Sequence, residues 1–423
     1  MKTLSNFYLA SFSLLAVIAG LLTRSWVFLL LALPSISLLV VGISGIPEKK
    51  LDIEISRNIE EGDIHEGDDF YLITKVKNNG DTIRYLEILD EVSPRMNITK
   101  GTNHIITELK KGEEITMEYN LTCPVRGDAD IGPIYIRYKD PLDLYFSEWV
   151  EEKMAKITIL PKVDDISKIY IRPRHTRNWL GNIQSGSMGS GTEFFSLREY
   201  LPGDTMKRIN WKATARHMYP VTNEFEGENS GDVIIVVDAE RDSNVGTIEF
   251  NTNNVSVRAA ASLASSILAD RNRVGLVVLG DYLDWLYPAF GREQFHKIMD
   301  LLARPTEGGV WHIEEAKWVI NRFFPRKTMI IIISPLIDTR IVETVMDLWR
   351  GNHEVMVVSP SPVMVEKMAE GLEDKISESI LNLERDNIIN KIWHYAVVVD
   401  WDPSEPLAAA LEVVRRYQMR RGS

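Results

Sequence analysis

Val233-Ile234-Ile235-Val236-Val237-Asp238 is an unbroken apolar run closed by an acid. A strand with one wet face alternates polar and apolar residues, whereas a strand covered on both faces has no polar position to spare. The run therefore predicts a buried parallel strand flanked by helices. Downstream, apolar periodicity predicts helices over 255–268, 292–302, 313–324 and 341–349, and strands over 274–279, 329–333, 355–358 and 396–399, with a closing helix over 406–416. Strands alternating with helices predict an α/β doubly wound sheet with right-handed crossovers.

Ligands of such sheets sit beyond the carboxyl ends of the strands. The first turn there reads Asp238-Ala239-Glu240-Arg241-Asp242, and the central strand runs out as Ile333-Ser334-Pro335-Leu336-Ile337-Asp338. Asp238, Glu240, Asp242 and Asp338 are thus the candidate edge residues. Asp338 is also placed to cap a helix starting near Thr339.

Upstream lies Arg198-Glu199-Tyr200-Leu201-Pro202-Gly203-Asp204, followed by Arg208-Ile209-Asn210-Trp211-Lys212-Ala213-Thr214-Ala215-Arg216. Pro202-Gly203 is turn chemistry, since proline presets the first corner and glycine accepts positive φ at the second. Ile209, Trp211 and Ala213 alternate with polar neighbours, which predicts a half-buried strand anchored on Trp211. Arg198, Asp204, Arg208 and Arg216 read either as a cluster gripping a partner or as a latch docking this segment. The five donors of a buried arginine favour a fixed network, and so the latch. The preceding 181–191, rich in Gly and Ser, lacks the order of a phosphate loop and predicts a mobile linker.

These residues resemble the signature of the "domain of unknown function 58" family, an Arg-x-Tyr-x-Pro-Gly-Asp turn joined to an Arg-x-x-Trp-x-x-x-Ala-Arg segment. The resemblance implies a von Willebrand factor A-like domain after the signature and a β-sandwich before it. Von Willebrand-type domains hold a divalent metal with an Asp-x-Ser-x-Ser turn and a later aspartate. Here Glu240 and Asp242 replace both serines and Pro335 stands at the aspartate's place. Hard cations accept clustered carboxylates, so the edge leaves room for a divalent ion. The expectation is nonetheless a degenerate edge without metal or other cofactor, used for protein contact. Members of the family are associated with MoxR-type AAA+ ATPases. The resemblance thereby implies a non-catalytic membrane adaptor or scaffold serving protein remodelling or assembly, with Tyr200 and the other signature residues at the partner surface.

Before the signature, short β runs over 70–76, 85–89, 115–121, 134–138 and 157–160 alternate with turn residues and predict an all-β sandwich. Arg126-Gly127, Ile131-Gly132-Pro133 and Asp140-Pro141-Leu142 are similar to the phrase that ends that domain in the family. Asp63, Glu66, Asp68 and Asp69 lack the spacing of a calcium loop and read as an acidic turn. At the amino end, 7–22 and 26–46 are apolar and separated by Thr23-Arg24-Ser25. They predict a transmembrane helical hairpin, the second segment of full crossing length and the first near the short limit. Lys2, Lys49, Lys50 and Arg57 outweigh Arg24 in the connector, which places both ends, and the soluble domains, in the cytoplasm. No small-x-small cleavage site precedes Arg24, which argues against a cleaved signal peptide. The expected order is a hairpin at 1–48, a sandwich at 51–161, a connector at 162–231 and the α/β domain at 232–423.

A net charge of −12 over 423 residues argues against a nucleic-acid binder. One cysteine, Cys123, excludes an internal disulfide. Eight histidines never recur at i, i+4, and no Gly-x-Ser-x-Gly or Cys-x-x-Cys occurs, so the expectation is a protein that is not an enzyme. Two rivals remain: a metal-dependent adhesion or sensing protein, and a hydrolase using Asp238 and Glu240 as an acid–base pair.

Overall fold

The structure is a computed structural model and describes residues 4–44, 51–60, 62–139, 144–166, 176–177, 183–201, 204–304, 311–370 and 375–412. Pro202 and Gly203 of the signature lie outside the described residues. The chain divides into two compact units, Met1–Ile159 and Leu160–Ser423.

The first unit opens with two helices, α1 (Leu4–Thr23) and α2 (Trp26–Ser44). Arg24 turns the chain at φ +53. The helices then pair as a hairpin, with Ser13 Oγ donating to Ser35 Oγ at 2.9 Å and Gly20 close against Leu29. Ser5–Thr23 is long and apolar enough to cross a membrane, by length and composition, while the apolar stretch Trp26–Gly42 is shorter. α2 as described has 19 residues, and residues 45–46 of the expected second span lie outside the described residues.

Ten strands follow: β1 (Ile53–Ile59), β2 (Ile64–His65), β3 (Asp69–Asn78), β4 (Ile83–Val92), β5 (Asn97–Gly101), β6 (His104–Leu109), β7 (Glu114–Thr122), β8 (Gly127–Lys139), β9 (Phe146–Glu151) and β10 (Ala155–Leu160). They form one sheet in the order β1-β3-β7-β5 and another in the order β2-β10-β8-β4-β6, with β9 also on β8. Alternation along β3 and β4 buries one face of each sheet, so Leu72, Val76, Leu86, Ile88, Tyr119 and Ile136 meet in a common core. Strand β8 changes partner from β10 to β9 at Gly132-Pro133. Gly132 has φ +108, and a Cβ there would stand 2.6 Å from the Lys153 carbonyl oxygen, so only glycine fits. Asp68 and Asp69 accept from the His65 amide and the Thr99 hydroxyl, and Glu66 from the Arg126 amide. Those acids are spent on turn contacts.

In the second unit, β11 (Thr176–Arg177) and β12 (Ile183–Glu199) pair antiparallel with a long strand β13 (Val221–Asp238). After β13 come α4 (Thr252–Ala269), β14 (Arg273–Leu279), β15 (Leu283–Ala289), α5 (Gly291–Ala303), α6 (Ile313–Phe323), β16 (Met329–Ile333), α7 (Arg340–Arg350), β17 (Glu354–Pro360), α8 (Pro362–Glu370), α9 (Lys375–Ile392) and β18 (Ala396–Trp401). The helix over 407–412 is the described part of the expected closing helix. The sheet order is β15-β14-β13-β16-β17-β18, parallel except for β15. Both faces are covered. Val233, Ile235 and Val237 join α4 and α5 in one core, whereas Ile234 and Val236 join α6, α7 and α9 in the other. That is the two-sided burial that the unbroken run at 233–237 requires.

Three expectations are corrected here. The connector at 162–231 is no separate segment: Ile166 is buried in the α/β core, and β13 runs through the expected border at 231/232. Of the Gly/Ser stretch, 181–182 lie outside the described residues and 183–191 belong to β12 instead of a linker, with register shifts between Gln184 and Met188 and again between Gly189 and Phe194. Glycines let a strand bulge while its ladder continues. The segment after Arg208 is not a strand but a short helix, α3 (Trp211–His217), numbered ahead of β13 in chain order. Asn210 caps it by accepting from the Ala213 amide at 3.0 Å, which draws the chain out of the extended conformation.

Candidate functional site

Strand order reverses at β13, whose neighbours β14 and β16 lead off in opposite directions. At such a reversal the loops after the two central strands part and leave a crevice at their carboxyl ends. Asp238 ends β13 there and is buried. Its Oδ2 accepts from Ser334 Oγ at 2.6 Å, at the end of neighbouring β16, and from Ser243 Oγ at 3.2 Å. Its Oδ1 accepts from the Glu240 amide at 3.2 Å. Ser243 is delivered by a 3₁₀ turn, Arg241–Ser243, and its carbonyl accepts from Thr252 Oγ1 at 2.6 Å at the start of α4. Burial pushes the Asp238 carboxyl up to about 6 against the Ser334 hydroxyl, which favours the ion, and Glu240 adds like charge.

Glu240 is also buried, but its carboxylate is answered by charge. Oε1 accepts from the Ile313 amide, the first of α6, where an anion also meets the positive end of the helix dipole. Oε2 lies 2.9 Å from His312 Nδ1 and 3.3 Å from Arg340 Nη2. The same guanidinium pairs with Asp338. Asp338 in turn accepts from the Arg340 amide at 2.9 Å, but the N-cap of α7 is Thr339, which makes no side-chain cap bond, so Asp338 stands one residue ahead of the cap expected of it. Burial would raise the Asp338 carboxyl, but Arg340 outweighs it and holds the group below its ordinary value. Asp242 is exposed and stands outside this network.

The edge does not fit a divalent cation. A hard ion needs several free carboxylate or hydroxyl oxygens around one point. Here Asp238 is filled by two hydroxyls and an amide, while Arg340 supplies a resident cation between Glu240 and Asp338. Among the described residues, no group of three or more His, Cys, Asp or Glu side chains is placed to hold a metal. Sequence reasoning missed His312, Ser243 and Arg340. The only local signal was Arg340, a cation two residues beyond Asp338.

The signature gathers at the opposite end of β13. Ser196–Glu199 of β12 pair with 221–224. Arg198 grips Asp204 with two parallel bonds of 2.7 Å, and Asp204 also accepts from the Leu201 amide at 2.9 Å. The Arg198 hydrogen bonds, then the Leu201 amide, hold the Asp204 carboxyl down at about 2, with Arg208 contributing charge. Tyr200 is tied by its amide to the Pro220 carbonyl, and Val221 by its amide to Thr214 Oγ1. The Arg198–Asp204 pair is therefore a latch on the turn. Trp211 is no anchor: it is 69% exposed, and Arg216 is exposed too.

Residues 196–391 match the family model described as "Protein of unknown function DUF58". The matched stretch begins in β12 and ends within α9, so it takes in both the latch and the carboxyl edge. An uncharacterized protein of Mycobacterium tuberculosis is 25% identical over 174 residues, 40% of this chain and 55% of that one. Uncharacterized protein YeaD of Bacillus subtilis is 25% identical over 168 residues, 39% of each chain. The chain thus spans about half the length of the mycobacterial relative, and less of the other. Among solved structures, native alpha-2-macroglobulin of Escherichia coli overlaps 27% of this chain and 17% of its own at 18% identity, with a TM-score of 0.24. A likeness that low carries no argument.

Cys123 is buried, its Sγ donating to the Val125 carbonyl at 3.1 Å, and burial pushes the thiol up, away from a thiolate nucleophile.

Proposed function

We propose that this chain is a membrane-anchored adaptor that presents the carboxyl edge of a von Willebrand factor A-like unit to partner proteins. The observation that carries the reading is the self-neutralised edge. Asp238, Glu240 and Asp338 are bonded internally while His312 and Arg340 stay on the rim, partly open to water. An edge so arranged offers a fixed charge pattern to another surface, which favours recognition by complementary loops. Counted from β13, the order 3-2-1-4-5-6 with an antiparallel third strand supports the von Willebrand-type assignment. The partner we propose is a MoxR-type AAA+ ATPase, with this chain recruiting the ATPase or its client to the bilayer. Exposed leucines, phenylalanines and valines along α1 and α2 support insertion of both helices as a hairpin, with the soluble units in the cytoplasm.

The test is affinity purification of tagged full-length protein from detergent-solubilised membranes, with mass spectrometry of co-eluting proteins with and without ATP. A nucleotide-sensitive AAA+ ATPase is the expected companion. Recovery of envelope proteins alone, in both conditions, would sink the reading in favour of adhesion. Mg²⁺, Mn²⁺ or Ca²⁺ should leave the melting temperature unchanged, since an ion held only by the folded state must raise it.

A further inference from the structure

The turn and helix that follow the latch carry an exposed surface that the adaptor reading does not use. Met206, Trp211 and Met218 are 76%, 69% and 95% exposed, and Leu201, before the turn, is exposed as well. Trp211 opens α3, with the exposed Ala215 one turn along the same face and the buried Ala213 facing the other way, and Met218 stands just beyond the helix as its C-cap, at φ +62. Lys212 and Arg216 flank that stripe one turn apart, and Lys207 follows Met206. All three cations are exposed and make no hydrogen bond or ion pair with any described residue. From 204 to 219 there are four cations, Lys207, Arg208, Lys212 and Arg216, against one acid, Asp204, in a chain of net charge −12.

We infer that this surface docks on an anionic lipid bilayer. Large apolar side chains left in water beside free cations mark an interaction surface. The pattern suits lipid better than protein. Protein interface cores are depleted in lysine and seat their anchors in matching pockets. Here Met206 and Met218 stand at turns and Trp211 at the start of a seven-residue helix, and flexible lysines stand among them. A bilayer needs no matching pocket: tryptophan and methionine enter the headgroup boundary while cations meet anionic lipids. The membrane-length helix α1 keeps a bilayer within reach of the same chain. The inference rests on the anchored reading for that proximity alone.

Cys123, the single cysteine, is 2% exposed, so a Met218→Cys variant offers one accessible thiol for an environment-sensitive fluorophore. Labelled full-length protein would be reconstituted in nanodiscs of phosphatidylcholine alone or with added phosphatidylglycerol. The expected result is blue-shifted, brighter emission only with phosphatidylglycerol, reversed by high salt. Each cation near an anionic surface is worth about fivefold in partition, so the triple variant Lys207→Glu, Lys212→Glu, Arg216→Glu should weaken docking by at least about a hundredfold. Trp211→Ala should weaken it without changing the lipid preference. Water-like emission in both lipids overturns the inference, as does a shift indifferent to the triple variant. Protection that appears only when a purified acidic partner protein is added also overturns it and assigns the surface to protein. Loss of the chain from the discs at high salt would instead remove the anchor, a separate failure from that of the patch.

Discussion

Two charged clusters lie inside this chain, one between the sheets of the β unit and one at the carboxyl edge of the α/β sheet. In the first, Arg57 of β1 pairs with Asp90 of β4, and Asp90 also accepts from Thr74 Oγ1 at 2.7 Å and Tyr119 Oη at 2.9 Å. Arg57 spends its remaining donors on the carbonyls of Ile131 and Lys153, at 3.1 and 2.7 Å. Burial, then the Asp90 charge, keeps the Tyr119 phenol protonated far above its ordinary range. Every charge is buried and every partner fixed. In the second cluster the carboxylates of Asp238 and Glu240 are equally buried, but His312 and Arg340 reach solvent. The first arrangement can only hold two sheets together. The second can be re-paired by an incoming surface without unfolding anything.

The largest expected effect therefore lies far from the candidate site. Asp90→Ala would leave Arg57 charged and unpaired between the sheets, at a cost of about 3–5 kcal/mol. Urea denaturation of the purified protein measures it, and a loss below about 1 kcal/mol would mean that water relieves Arg57 there. Arg340→Ala should cost less, about 1–2 kcal/mol, because the Ile313 amide and His312 still serve Glu240. If the clusters differ as argued, the Arg340 variant loses its co-purifying partner while staying folded, and the Asp90 variant loses both together.

Asp238 sharpens the contrast through pH. Its folded value of about 6 exceeds its ordinary 3.8, so between those values the fold binds more protons than the unfolded chain. Stability from this group is then fullest below the ordinary value and is lost as pH rises through about 6, by on the order of 3 kcal/mol. Asp238→Asn should flatten the melting-temperature profile across that window. A variant profile that parallels the wild type would mean that the buried edge ionises at no cost.

What the sequence disclosed follows from range. The run at 233–238 was legible because burial on both faces leaves its trace in consecutive residues. Strand β15 was not, because Asp284, Tyr287 and Pro288 break any apolar period on an edge strand. Ile209, Trp211 and Ala213 matched a strand at three positions, too few to exclude a helix, and one side-chain bond from Asn210 decides between them. Asp238 and Glu240 could be named as edge acids from the turn after a parallel strand. Their partners could not: His312 and Arg340 stand 72 and 100 residues from Glu240, and only the sheet order brings them there.

The smallest effect belongs to the signature latch, and its smallness is the point. Arg198 and Asp204 are joined by two good bonds, yet both reach water, where an ion pair contributes little to global stability. Asp204→Asn should leave the melting temperature unchanged and speed hydrogen exchange at the Leu201 amide, which Asp204 holds directly. Because Asp204 titrates at about 2 in place of 3.8, the local protection is present above the ordinary value and disappears only as pH falls through about 2. Exchange of wild type and variant at pH values on either side of that point should therefore differ above it and converge below it. A fall in melting temperature comparable to that of Asp90→Ala would place the latch with the buried lock between the sheets. An unchanged melting temperature with faster local exchange leaves it as a clasp on one turn, whose service is to fix where Met206 and α3 stand.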